Sequence, residues 1–512
     1  MPEERDVRLT KLEALRQAGM DPYPKTAERT HEVGELLSDF ETFVKSAEPV
    51  VLAGRIMTIR VHGGMMFADI RDESGQLQLV FKEDSLNEAF NLFRDSIDPG
   101  DFVEAHGAAF LTKRGEKSLL IADWRILSKA LLPLPEKWHG LSDVEIRFRQ
   151  RELDLISNPD VRQRFVIRSR LVSSMRSFLD ESGFLEVETP VLQALAGGAA
   201  ARPFTTHHNA LGIDLYLRIA PELFLKRLVI GGMEKVYEIA RCFRNEGIDH
   251  SHNPEFTQIE LYWAYAGKEP FITFIESMVA AMLKGAFGST IIKRESGDLD
   301  FTGPWPRVTF REAIKQATSI DIDEIKDIPA LKAAVKAAKV KVDFKGLVGM
   351  GEHLDELYKK TARAKLAGPV WVLEYPVAMK PLAGRSPEDP DKSATAQLVV
   401  DGAEIINAYY YELNDPIDQR SRFDEQQKLS EEGSEEAQPK DEEFLTALEH
   451  GMPPTSGMGM GIDRLVAILT GAPSLKEVIL FPTLRPVTQV SAPSLKIGAE
   501  LQKPKVKIDN EE

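Results

Sequence analysis

A chain of 512 residues exceeds one ordinary hydrophobic core, so two or more domains are expected. Its composition, 43% hydrophobic and 28% charged, is that of a soluble globular protein, and no run of about 18 apolar residues suggests a membrane span. The formal net charge of −16 argues against nucleic-acid binding through bulk charge, and the lone Cys242 excludes a disulfide framework or a Cys-based zinc cluster.

The N-terminal MPEERDVRLTKLEALRQAGM spreads its charges through a helical pattern without an apolar core, so it does not read as a signal peptide. A cytoplasmic location is the simple expectation. Residues 1–45 are expected to be helical and polar. From about 50 the texture changes to short strands, VVLAGRIMTIRV, MMFADIRD and QLQLVF, then FVEAHGAAFLT and SLLIADWRIL. The breaks between them, HGG, ESG, DPG and KRGE, carry turn chemistry. A helix-like EDSLNEAFNLFRDSI separates the third strand from the fourth. Five strands with a helix after the third fit a Greek-key barrel of the OB type, placed at 46–130.

LLPLPEK opens a proline-rich linker, 131–150. A long helix is predicted from about 160 to 182, ending at Gly183 and followed by FLEVETPVLQ. Residues 204–265 read mostly as strand, with a helix at PELFLKRLVIGG. An Ala- and Lys-rich stretch, about 323–366, reads as an inserted helical unit within a larger domain at 151–487. Strands return in VWVLEYPV and QLVVDGAEIINAYYYEL, then a glycine-rich turn, GMGMG, leads into the apolar helix IDRLVAILTG. The tail, 488–512, alternates Lys with Pro and Glu and is expected to be partly disordered. Charge is patterned: 430–443 holds seven carboxylates, whereas 161–176 holds five arginines and no acid. Solvated helix faces account for both runs.

Sorted by chemistry, the polar residues of the larger domain suggest a cargo. Arg244 and Arg464 can meet phosphate oxyanions bidentately, and Glu404 can hold Mg²⁺ bridging them. Glu222, Glu260 and Glu412 lie in apolar surroundings, where carboxylates need a cationic partner to stay ionised. Structural ion pairs would explain most of these residues singly. Composition and spacing alone therefore stop at a nucleotide-using enzyme.

Three ordered motifs carry a resemblance further. GFLEVETPVL, FRNEG with HNPEFTQIELYWAYA, and GMGMGIDRLVAIL resemble the three motifs of the class II lysyl-tRNA synthetases, joined by GGAAARPFTTHHNAL and YLRIAPELFLKRL. The likeness runs over roughly residues 50 to 487. It implies an α+β fold: an OB-fold anticodon domain, then a six-stranded antiparallel catalytic sheet flanked by helices. It implies that lysine and Mg·ATP give lysyl-adenylate and pyrophosphate, after which the lysyl group passes to the terminal adenosine of tRNA(Lys). A homodimer and the absence of any membrane partner are implied as well.

Residue by residue, Arg244 matches the arginine that bridges the amino-acid carboxylate and the α-phosphate. Glu246, His252, Asn253 and Phe256 match positions around ATP, with Phe256 under the adenine. Gly461 and Arg464 match the third motif, Arg464 on the γ-phosphate, and Glu404 matches the metal carboxylate. Gly198 and Glu222 match the site of the lysine α-ammonium; Glu260, Tyr262, Asn407, Tyr409 and Glu412 match the rest of the lysine pocket. In the barrel, Arg60, Phe67, Gln78 and Asp123 match anticodon readers. Residues 51–130 carry 10 Lys and Arg against 12 Asp and Glu, so stacking and hydrogen bonds would have to supply specificity there.

The chain departs from the pattern in three places. The family usually has a Glu seven residues before the metal carboxylate; here it is Gln397, a neutral and weaker ligand. A family Glu is matched by the shorter Asp123. Asn407 and Glu412 are five residues apart where four is usual, which in a regular strand would turn Glu412 to the opposite face. A β-bulge within 408–411 is predicted to return it to the pocket. Two rival readings remain: a lysyl-transferring paralogue that modifies protein, which typically lacks the barrel, and a catalytically dead RNA-binding regulator, against which Arg244, Glu404 and Arg464 speak.

Overall fold

Strands β1 (Val50–His62), β2 (Met65–Arg71), β3 (Gln76–Lys82), β4 (Phe102–Leu111) and β5 (Lys117–Ser128) close into a barrel in the order β1-β2-β3-β5-β4. The structure, a computed structural model, describes residues 2–135, 141, 143–199, 201–295, 297–434 and 438–486. The predicted tail at 488–512 lies outside the described residues, as does part of the linker.

The chain divides into two compact units, Met1–Ser142 and Asp143–Glu512. In the first, alternation buries Val50, Leu52 and Ile56 of β1 inside the barrel, as period-two patterning requires. Antiparallel pairs build most of the wall, and the parallel pair β3–β5 completes the circuit. The helix-like stretch after β3 is two pieces, Glu83–Leu86 and Glu88–Ser96, broken at Asn87 with φ of 50°. The second delivers Phe93 into the core, 4.2 Å from the Phe81 ring and 4.8 Å from that of Trp124.

The second unit is organised on an eight-stranded sheet. Its strands are β6 (Leu185–Glu186), β7 (Lys235–Phe243), β8 (Glu255–Ala264), β9 (Arg307–Thr309), β10 (Pro369–Leu373), β11 (Thr395–Val400), β12 (Ala403–Tyr409) and β13 (Thr455–Gly461). They lie in the order β9-β10-β11-β12-β13-β8-β7-β6. The six inner strands are antiparallel throughout, and a short parallel strand is added at each edge. The six-stranded sheet expected from the sequence is this inner part.

Helices Pro159–Glu181 and Lys268–Phe287 pack together under one face of the sheet. The second is long and apolar enough to cross a membrane by composition, yet Phe271, Ile275, Met278, Val279 and Met282 on it are buried in the core. Helices Ile328–Ala337 and Met350–Thr361 form a smaller core with Phe310 and Tyr375.

One expectation fails here. GMGMG is not a turn but most of strand β13. Its alternation explains why. Met458 and Met460 point into the core, while Gly457, Gly459 and Gly461 line the opposite face. A Cβ on Gly457 would overlap Glu412 Oε1 and the Tyr262 ring. Glycine stands there to clear space above the sheet, not to bend the chain.

Candidate active site

Above the glycines of β13 lies a cavity of about 770 Å³. Gly198, Glu222, Arg244, Glu246, His252, Asn253, Phe256, Glu260, Tyr262, Gln397, Glu404, Asn407, Tyr409, Glu412, Gly461 and Arg464 all line it. Residues spread over nearly 270 positions of sequence are thus gathered by one sheet face.

At one end the cavity is acidic. Glu222 begins the helix Glu222–Ile230, Glu260 comes from the middle of β8, and Glu412 follows β12; all three are buried. Between them sits the fully buried Lys226, one helical turn beyond Glu222. Its ammonium donates to Glu222 Oε1 at 2.8 Å and lies 2.7 Å from Glu412 Oε2. Glu412 thus meets Lys226 as an ion pair, while its Oε1 has no hydrogen-bond partner among the described residues. Glu260 has only neutral donors, Gln258 Nε2 at 2.8 Å and the Tyr262 hydroxyl at 3.3 Å.

Three carboxylates thus face one resident ammonium, and the titration behaviour follows. Burial, then the nearby Glu222, pushes Glu260 well above the usual carboxylate range, although Tyr262, Lys226 and Arg244 pull it down. Burial pushes Glu412 up to about 8, with Lys226 opposing and Glu222 reinforcing. The Lys226 ammonium is stabilised despite its burial, by Glu222 and then Glu412.

Glu412 reaches this pocket because the extra residue is absorbed in the chain. Tyr409 pairs with Gly457, but the next backbone bond runs from Glu412 N–H to the Thr455 carbonyl, 2.8 Å. Tyr410 and Tyr411 therefore stand together opposite Ser456, whose hydroxyl donates to the Tyr410 carbonyl. Tyr409 lines the cavity, whereas Tyr410 turns into the core beneath Lys268. A second irregularity, at Ile405 opposite the step from Leu398 to Val399, was not foreseen.

The rest of the cavity carries two arginines, Arg244 and Arg464. Arg244 leaves β7 with its backbone N–H held by the Pro254 carbonyl at 2.8 Å, and its guanidinium lies 4.9 Å over the Phe256 ring. Its Nε is buried and has no partner. Asn253 Oδ1 is likewise buried and unpartnered, while its amide donates to the Glu255 carbonyl. His252 sits beside Asp249 at 3.1 Å. Arg464 anchors one nitrogen on the Glu404 carbonyl at 2.9 Å. The neighbouring Asp463 accepts the Thr257 N–H at 2.9 Å and pairs with Arg168, tying β8 to the helix Ile462–Leu469.

Between the two ends stand Glu404 and Gln397. Gln397 is buried; its oxygen accepts from the Tyr375 hydroxyl, and its amide donates to Asn407 Oδ1 at 3.0 Å. Glu404 lines the cavity and forms no salt bridge among the described residues. Among the described residues, no three His, Cys, Asp or Glu side chains gather as a ready-made metal site.

Residues 143–485 match the family model described as tRNA synthetases class II (D, K and N), and residues 50–127 match that of the OB-fold nucleic acid binding domain. The chain is 51% identical to a lysine–tRNA ligase of Roseiflexus castenholzii, over 94% of this chain and 98% of that one. It is 49% identical to those of Moorella thermoacetica and Chloroflexus aurantiacus, over 94% and 93% of this chain and 97% of each of theirs. The chain belongs to the class II lysyl-tRNA synthetases.

Members of this family are ligases that use ATP as a substrate. In the barrel of this synthetase, Arg60 pairs with Phe67 across β1 and β2, and its guanidinium approaches Gln78 at 3.4 Å and Asp69 at 3.6 Å. Asp123 is not with them. It lies five residues along β5 from Ser118, the partner of Gln78, a separation of roughly 17 Å in a strand. Sequence reasoning missed Lys226 and Lys380, both in the cavity region. A Glu-to-Lys spacing of four within PELFLKRL was a usable signal for Lys226. VAMKPLA held none for Lys380.

Proposed function

We propose that this cavity joins lysine to ATP and passes the lysyl group from the adenylate to the 3′-terminal adenosine of tRNA(Lys). The observation that carries the reading is a charge count. Glu222, Glu260 and Glu412 exceed the resident Lys226 by two negative charges, and lysine brings two ammonium groups. Glu222 takes the α-ammonium, while Glu260 and Glu412, flanked by Tyr262 and Tyr409, take the ε-ammonium. Burying an ammonium costs several kcal/mol unless carboxylates meet it, so an uncharged side chain of equal length would leave these acids uncompensated. Gly198, with φ of +88°, keeps the approach to Glu222 open, since a Cβ there would come within 3.0 Å of the Glu222 Cβ.

The unpartnered Nε of Arg244 faces the junction where the lysine carboxylate meets the α-phosphate. A carboxylate oxygen attacks the α-phosphorus, the bond to the bridging oxygen breaks, and pyrophosphate leaves. Arg244 offsets the charge that develops on the phosphoryl oxygens, and Arg464 holds the γ-phosphate. Phe256 stacks under the adenine, with Glu246, His252, Asn253 and Gly461 around the nucleotide. A terminal hydroxyl of tRNA then attacks the carbonyl carbon, its proton passes to the departing phosphate, and AMP leaves. Positioning and electrostatics suffice, and no protein base is required.

The donor set fits a Mg²⁺ that arrives with the triphosphate: Glu404 lines the cavity, and among the described residues no all-protein cage of acids and histidines is formed. Such an ion would neutralise phosphate charge. Glu404 would hold it, while the Gln397 oxygen is already turned to Tyr375.

Phe67 would stack one anticodon base, with Arg60 and Gln78 on base edges, and Asp123 would meet a different nucleotide. A cytoplasmic homodimer is part of the proposal. Leu185, Val191, Leu192 and Leu195 are exposed, as are Leu211 and Ile213, and an obligate interface would cover such apolar side chains. Lysine-dependent ATP–pyrophosphate exchange, followed by charging of tRNA(Lys), tests the reading. Exchange driven equally by arginine or aspartate would defeat it.

A further inference from the structure

Lys380 follows the short turn Val377–Met379 and lines the same cavity. Its ammonium lies 5.0 Å over the Tyr375 ring and donates to one acceptor, Asn407 Oδ1, at 3.2 Å. An ammonium has three protons to place, and among the described residues Lys380 forms no salt bridge. Glu404 and Asp355 act on it only at longer range, and burial outweighs them, holding its pKa below the ordinary lysine value. A cation so placed is under-satisfied until an anion enters.

Gln397 is its immediate neighbour. Both side chains donate to the same Asn407 oxygen, at 3.2 Å from Lys380 and 3.0 Å from Gln397, and the Tyr375 ring under Lys380 carries the hydroxyl that donates to Gln397. The charges at this spot can be compared with the alternative. A carboxylate at 397 holding a divalent cation would present a net charge of +1 to the cavity. A neutral Gln397 beside the Lys380 ammonium presents +1 as well, with no ion at that position.

We propose that Lys380 is a nucleotide-binding residue whose ammonium contacts a phosphate oxygen of ATP. It supplies from the protein the charge that a second divalent cation would supply on a carboxylate at position 397. The triphosphate therefore binds with a single protein-held cation, on Glu404. This inference rests on the reading of the cavity as an ATP site. The shared chemistry is an oxyanion near Asn407, so the lysine carboxylate is the other group that could take the ammonium, and the test separates the two.

The experiment measures binding of a non-hydrolysable α,β-methylene ATP analogue and of lysine by calorimetry, and counts Mn²⁺ bound with the analogue by electron paramagnetic resonance. The full-length protein is compared with Lys380→Met, Lys380→Arg and the double variant Lys380→Met/Gln397→Glu. The expected result is a loss of analogue affinity on the order of 10- to 100-fold in Lys380→Met, as for a charge-assisted contact. Lys380→Arg should restore most of it, and lysine affinity should stay within a few-fold. Wild type should hold one Mn²⁺ per site and the double variant two. Unchanged analogue affinity in a folded Lys380→Met, a loss confined to lysine, or two Mn²⁺ in the wild type each overturns the inference. Wild-type protein that fails to bind the analogue overturns the ATP-site reading and this inference with it.

Discussion

Lysine binding should expel protons. In the empty cavity Glu222, Glu260 and Glu412 share one ammonium, that of Lys226, and two of the three, Glu260 and Glu412, have pKa values raised by burial. With its pKa raised to about 8, Glu412 carries a proton at pH 7, and an ammonium group of lysine replaces it. With a pKa of about 8, ionising Glu412 at pH 7 costs about 1.4 kcal/mol, small beside the attraction of a desolvated ion pair. The sign follows from linkage. A raised carboxyl holds its proton below its pKa, so a ligand that needs the ionised form binds more tightly as pH climbs toward that value. Calorimetry of lysine binding in buffers of different ionisation enthalpy reads the proton count directly. At least about one proton should leave per lysine at pH 7, and one fewer in Glu412→Gln. The count should fall as pH rises through 8, where Glu412 is already ionised. A count near zero at pH 7 would refute the charge-closure argument.

Four further outcomes are expected. Arg244→Ala should lower lysine-dependent pyrophosphate exchange on the order of 100-fold or more with its melting transition intact, and an unchanged rate would remove Arg244 from the transition state. Glu404→Gln should shift the Mg²⁺ titration of exchange to higher concentration while Gln397→Glu changes it modestly; a Glu404→Gln titration that overlays the wild type would clear Glu404 of the metal. Lys226→Met should lose about 3–5 kcal/mol of unfolding free energy in urea, because it strands the buried Glu222 carboxylate, and an unmoved midpoint would show the pair to be dispensable. Light scattering at micromolar concentration should give a dimer, and a fully active monomer would exclude the proposed role for the exposed side chains at 185–195.

The five strands of the barrel and the helix pattern around 160–182 and 222–230 were legible because their periodicities follow burial on one face. GMGMG was not. Glycine signals a turn in isolation, and only the neighbouring Glu412 and Tyr262 show that the missing side chains make room in a strand. The five-residue spacing from Asn407 to Glu412 announced an irregularity, and the structure puts it at Tyr410 and Tyr411. Its companion at Ile405 left no mark, since a bulge between buried aliphatic residues keeps an apolar run apolar. Lys226 and Lys380 escaped notice because a lysine in sequence reads as surface. Both depend on partners more than 25 residues away, Glu412 and Asn407 respectively.

The glycines of β13 leave the base of the cavity as bare peptide. A surface of backbone has no rotamers, so it can neither swing aside for a bulkier amino acid nor be widened by trimming a side chain. Its height is fixed by hydrogen bonds to β8 and β12, the neighbours that carry Glu260 and Asn407. On the proposed reading, Glu260, which meets the substrate's charge, and the plane that sets its thickness belong to one rigid ladder. Changes of amino-acid preference in this scaffold have to come from the walls, at Tyr262, Tyr409 or the three glutamates, because the base offers nothing to substitute but a collision.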